Sequence, residues 1–133
     1  MMRRCMNLRL ILVALCCVIL AAGCARTLNE IRAEPPALQL PPVAEQHREA
    51  MARCTQDRIY EEMGFVWSIV QETRREPDGW HVIGRPSASP TFAAWDVAVT
   101  SASIEVRFGG APPFLPRGTV LEAVKWCVAK NNQ

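Results

Sequence analysis

The sequence predicts a small α+β domain, in which an antiparallel four-stranded sheet carries an N-terminal and a C-terminal helix packed on one face. Three observations predict it. Residues 43–63 contain neither Gly nor Pro, stop at Gly64 and carry charge at helical spacing. Between residues 65 and 108 the apolar residues alternate with period two and are interrupted by turn chemistry. From Thr119 onward a helical pattern returns and runs close to the C-terminus. The chain has 133 residues, 50% hydrophobic and 21% charged, which suits one domain and excludes collagen-like, coiled-coil and wholly disordered classes.

The N-terminal part is set apart by composition. Residues 1–9 carry Arg3, Arg4 and Arg9 with no acid, and residues 10–22 form an unbroken apolar run that closes on small residues. That is the order of a basic region, an apolar region and a cleavage site in an export signal. The run falls short of the roughly 20 apolar residues that cross ~30 Å of hydrocarbon. Ala21-Ala22-Gly23-Cys24 resembles the lipobox of bacterial lipoproteins, in which small residues precede a cysteine. Lipoboxes most often place Leu where Ala21 stands. The resemblance covers residues 1–24 only and implies a signal peptide at 1–23, cleavage before Cys24, a diacylglyceryl group on the Cys24 sulfur and acylation of the new amino terminus. Several acyl chains together hold a protein on a bilayer where one chain binds reversibly. Ala25 lacks the aspartate that commonly signals inner-membrane retention, so the resemblance implies the outer membrane, with the domain facing the periplasm.

Residues 24–42 hold two Pro pairs, Pro35-Pro36 and Pro41-Pro42, and read as a semi-rigid spacer of ~3.1 Å per residue. The folded domain is expected over residues 43–133. Loss of residues 1–23 removes three of the 15 basic residues and none of the 13 acids, turning the net charge from +2 to −1. No basic run with interleaved aromatics remains, so a nucleic-acid partner has no footprint.

The first helix spans residues 43–63, with Glu45/Arg48 and Glu49/Arg53 supporting an exposed face and Ala50, Met51 and Cys54 on the apolar one. Beyond Cys54 the apolar stripe loosens, which points to a bend or a frayed end near residues 55–58. Phe65, Trp67 and Ile69 open a strand; Pro77-Asp78-Gly79 turns it into a hairpin whose return is residues 80–84. Residues 85–91, with two prolines, read as loop. Trp95, Val97 and Val99 sit at odd positions and Ala102, Ile104, Val106 and Phe108 at even ones, so a turn or bulge separates the last two strands. Residues 109–118 form a Pro-rich loop with Phe114 and Leu115 at its crest. Thr119 and Glu122 have the spacing of a capping box for a helix over residues 120–130.

Export delivers Cys54 and Cys127, both on apolar helix faces, to an oxidising compartment. A structural disulfide is the first reading, two reduced core thiols the second and redox chemistry the last, since no Cys-x-x-Cys pair is present. His47 and His81 are the only histidines, and no Cys/His cluster has metal-ligand spacing, so neither a metal nor another cofactor is expected. Gly-x-Ser-x-Gly is absent, and no other catalytic signature stands out. Of four tryptophans, Trp126 lies about 100° around the helix from inward-facing Cys127. Trp126, Trp80 and the Phe114-Leu115 loop are therefore the candidate partner-binding surface, with a plain packed flap as the alternative for the loop. The expected function is a non-catalytic accessory domain for another envelope protein; the alternative is a small enzyme or ligand carrier for a cell-wall or lipid fragment, with its pocket between sheet and helices.

Overall fold

The computed structural model describes residues 26–63, 69–109 and 117–133. Cys24 with the lipobox, Phe65 and Trp67, and the Phe114-Leu115 crest lie outside the described residues. No described helix is long and apolar enough to cross a membrane.

The chain is α+β with a five-stranded antiparallel sheet. Helix α1 (Leu28–Arg32) comes first, then strand β1 (Leu38–Leu40), a 3-10 turn (Glu45–His47) and helix α2 (Arg48–Met63). Strands β2 (Ile69–Glu76), β3 (Gly79–Pro86), β4 (Trp95–Thr100) and β5 (Ile104–Phe108) follow, and helix α3 (Arg117–Asn131) closes the chain. The sheet order is β1-β5-β4-β3-β2.

The spacer expected over residues 24–42 is corrected from residue 26 onward, because that stretch is folded. Thr27 and Glu30 make a reciprocal capping box, with the Thr27 N–H donating to Glu30 Oε2 at 2.6 Å and the Glu30 N–H donating to Thr27 Oγ1 at 3.4 Å. Five residues cannot hold a helix by themselves in water. Tertiary burial does it: Leu28 and Ile31, three apart on one face, join Ile83 and Ala93 in a small second cluster. Burying Ile31 completely contributes roughly 1.5–3 kcal/mol. Leu38–Leu40 then supplies the fifth strand, paired to β5 with Leu38 opposite Val106. A three-residue strand between two Pro pairs suits a sheet edge, where few ladder bonds are required.

The β2–β3 hairpin turns at Pro77-Asp78, with Gly79 at φ +155° where the Val99 carbonyl leaves no room for a Cβ. Strand β3 runs on to Pro86, further than the loop read from residue 85, and Pro86 ends the ladder opposite Ile69. The parity change before Ile104 is a turn. Thr100 Oγ1 accepts from the N–H groups of Ala102 and Ser103, so β5 restarts with its apolar set realigned to that of β4.

The larger core cluster joins Met51, Ala52, Ile59 and Met63 of α2 and Val120, Val124 and Cys127 of α3 to Val82, Trp95, Val97, Val99, Ile104 and Val106 of the sheet. Successive strand residues point to opposite faces, so Ile83, Asp96 and α1 belong to the other side of the sheet from this cluster. In α2 the buried set is Met51, Ala52, Thr55, Ile59 and Met63, and the helix continues through residues 55–58 rather than fraying there. Thr55 hides the stripe because it is polar by type; buried, it donates its hydroxyl to the Met51 carbonyl at 3.0 Å. Ala50 is exposed instead. Helix α3 starts at Arg117, so Thr119 lies inside its first turn rather than capping it, and Glu122 pairs with Lys125 at 3.0 Å. Cys54 and Cys127 join α2 to α3, with sulfurs 2.07 Å and Cα atoms 6.0 Å apart.

Candidate functional site

Two places collect chemistry. The first is a polar cluster on the α1 side of the sheet, built from α1, the β2–β3 hairpin and β4. Register sets it up: Arg74 opposes His81, and Ile83 opposes Asp96, which puts alternate side chains of three strands on that side. The last residue of α1, Arg32, reaches into the group. Its Nε donates to Asp96 Oδ2 at 2.6 Å, and its Nη1 and Nη2 donate to Glu76 Oε2 and Oε1 at 2.9 and 3.0 Å. Arg74 Nε also donates to Glu76 Oε1, at 2.7 Å.

His81 is held at both nitrogens. Nδ1 lies 2.9 Å from Asp96 Oδ1 and Nε2 lies 2.9 Å from Asp78 Oδ1. The side chains of His81 and Asp96 are 3% and 1% exposed, whereas Asp78 is mostly exposed. Burial pushes His81 toward the neutral form, but the hydrogen bond and charge of Asp96 and the bond to Asp78 outweigh it and raise its pKa above 6.5. As an imidazolium it donates at both nitrogens. As a neutral ring with Nδ1 unprotonated, it accepts from Arg32 Nη2, 2.9 Å away. Burial likewise pushes Asp96 up, and the bonds from His81 and Arg32 pull it down. For Glu76, burial is outweighed by the bonds from Arg32 and Arg74, which hold its carboxyl down to about 2.

Glu76, Asp78 and His81 present ligand atoms within 4.8 Å of one another, a donor set a divalent cation could use. Both Glu76 oxygens already face guanidinium groups, so a cation there displaces arginine contacts. With His81 protonated, three cations balance three carboxylates, and the cluster is electrically complete. A hollow of about 350 Å³ beside the hairpin turn is lined by Glu49, Glu76, Asp78 and Trp80 among others, and His81 does not line it. A general base requires a nitrogen within reach of substrate, and both His81 nitrogens are engaged. In the sequence Arg74-Arg75-Glu76 reads as solvated charge and His81 and Asp96 as common residues, so nothing there joins them; the one local signal is Thr27-Leu-Asn-Glu30, a capping box that announces α1 and so brings in Arg32.

The second place is the outer surface of α2 and α3. Trp126 is 44% exposed, with Arg58 of α2 and Lys130 of α3 over its ring at 4.9 and 5.0 Å from the centroid. It lines three shallow hollows of about 340–590 Å³. Arg58 also bonds Glu62 at 2.7 Å. Trp80, by contrast, is half-buried and packs against the larger core cluster. Of the residues read as partner-binding, Trp126 alone is both described and well exposed. Tyr60 and Val70 are exposed apolar residues that the sequence reading did not single out. Met51, Ile59, Val97 and Val124, which share the larger core cluster, are all fully buried.

The chain matches no protein-family model, no curated protein and no solved structure.

Proposed function

We propose that the protein is an envelope lipoprotein, anchored by acyl groups on Cys24 in the outer membrane and facing the periplasm, whose folded part binds another envelope protein without catalysis. In this reading α2 and α3 lie side by side on one face of the sheet and offer the Trp126 surface to the partner. The carrying observation is the position of Trp126, exposed between two cations and next in sequence to Cys127, whose bond to Cys54 holds α3 against α2. Trp and Arg dominate the binding energy of protein interfaces, and an aromatic fixed in advance loses little entropy on association. Acids and bases alternate around it, which suits a protein partner better than a polyanion.

The test is photo-crosslinking in intact envelopes from a benzophenone amino acid at position 126, with position 70 on the opposite side of the sheet as control. A discrete adduct at 126 and not at 70 supports the reading. No adduct, or the same adduct at both positions, contradicts it.

A further inference from the structure

The geometry points to a domain seated directly on the bilayer, through the end of the sheet that carries Arg26, Arg85, Arg107 and Arg117, with the phosphate layer of the lipid headgroups as its partner. This inference rests on the lipid anchor at Cys24 proposed above.

The backbone is tied to the sheet from its first described residue. The Arg26 carbonyl accepts from the Ala93 N–H at 2.9 Å, and Thr27 forms a β-bridge with Phe92. Thr27 caps α1, Leu28 and Ile31 are buried, and Arg32 is bonded to Asp96, Glu76 and His81. Only Ala25 separates the lipid-bearing residue from this attachment. Two residues of extended chain span at most about 7 Å. An 18-residue polyproline spacer, by comparison, would reach ~55 Å. The headgroup zone is itself roughly 5–8 Å deep on each side of the hydrocarbon. Arg26 is therefore held at the lipid phosphates, and the surface around it has to meet them.

That surface has the matching charge. Arg85, next to the end of β3, donates to the Pro90 carbonyl at 2.9 Å, and Arg117 lies 5.3 Å from the Phe108 ring centroid at the end of β5. Neither has a carboxylate within ion-pair distance among the described residues. Arg26 pairs with Glu34 at 2.7 Å and Arg107 with Glu105 at 2.6 Å. Residues 85–94 contain no acid, and Ser87, Ala88, Pro90 and Thr91 are exposed. Four arginines there meet three acids, Glu30, Glu34 and Glu105, and because Arg107 is 16% exposed and held by Glu105 and the Glu34 carbonyl, the excess rests on Arg85 and Arg117; beside exposed small residues it suits contact with anionic headgroups. The opposite end of the sheet, at the turn containing Ala102, stands about 20 Å away along β4.

The experiment uses the acylated full chain in vesicles of phosphatidylethanolamine and phosphatidylglycerol that carry a headgroup nitroxide. A bimane probe is placed on Thr91→Cys or on Ala102→Cys. Quenching at least threefold stronger at 91 than at 102 is expected, and 20 Gly/Ser residues inserted between Ala25 and Arg26 should abolish the difference. Equal or reversed quenching, with acyl mass on Cys24 verified, overturns the seating and leaves the anchor standing. A difference that survives the insertion overturns the short tether as its cause. Absence of acyl mass overturns both.

Discussion

Arg32 and Asp96, 64 residues apart in sequence, are joined by a 2.6 Å hydrogen bond that fastens the first helix to the middle of the sheet. Asp96 is 1% exposed, so its charge depends on Arg32 and His81 for compensation. Arg32→Ala leaves that carboxylate short of a partner inside the protein, and the expected loss is roughly 3 kcal/mol, at the low end for a broken buried pair because Arg32 keeps some solvent. Urea unfolding measures it, and hydrogen exchange at the Ala93 amide, which bonds Arg26, reports whether α1 detaches first. Arg32→Lys should recover only part of the loss, since an ammonium cannot reproduce the forked contacts to Glu76.

The same cluster gives a pH dependence of defined sign. His81 has a raised pKa in the fold, so its contribution is complete below 6.5 and is lost as pH rises through the higher folded value. Glu76 runs the other way: its contribution is complete above 4.5 and is lost as pH falls toward about 2. Stability from these groups is therefore greatest between those ordinary values. Denaturant midpoints should fall as pH rises above 6.5 in the native chain and change less in His81→Gln. An equal slope in the variant would assign the dependence elsewhere.

The α+β class and the succession of strands over residues 69–108 were legible in the sequence because their signals are local, whereas the strand order was not. Pro77-Asp78-Gly79 announces a hairpin and the parity change before Ile104 announces a turn. What escaped was short or compensated. Helix α1 has five residues and β1 three, too few for periodicity, and the Pro pairs around them read as a spacer while the capping box at Thr27 went unread. Thr55 masked the apolar stripe of α2 by its residue type. The polar cluster was illegible for a different reason: Arg32, Glu76, Asp78, His81 and Asp96 come from three separated stretches, and only the register of the hairpin and of β4 brings them together.

The Cys54–Cys127 bond closes a 73-residue separation, which on the chain-entropy model stabilises the fold by roughly 4 kcal/mol. Reduction of the purified domain should lower the midpoint of thermal unfolding by many degrees, and Cys54→Ala/Cys127→Ala should do the same without reductant. A melting curve indifferent to reductant would show that the bond contributes little.

Gly84 sits against the Trp95 indole, where a Cβ would collide with the ring. Trp95 is fully buried and cannot swing clear, so Gly84→Ala should cost about 3 kcal/mol or more through overpacking. Denaturant unfolding or soluble yield reads the effect. Trp126→Ala, on the half-exposed face, should cost less, about 1–2 kcal/mol, through loss of the contacts with Arg58 and Lys130.

Mass spectrometry of the intact chain extracted from its native membranes tests the account most directly. The account predicts a mature protein beginning at Cys24, with the mass of a thioether-linked diacylglyceryl group and an amide-linked acyl chain on that residue. A chain that still begins at Met1 and carries no acyl mass would contradict it.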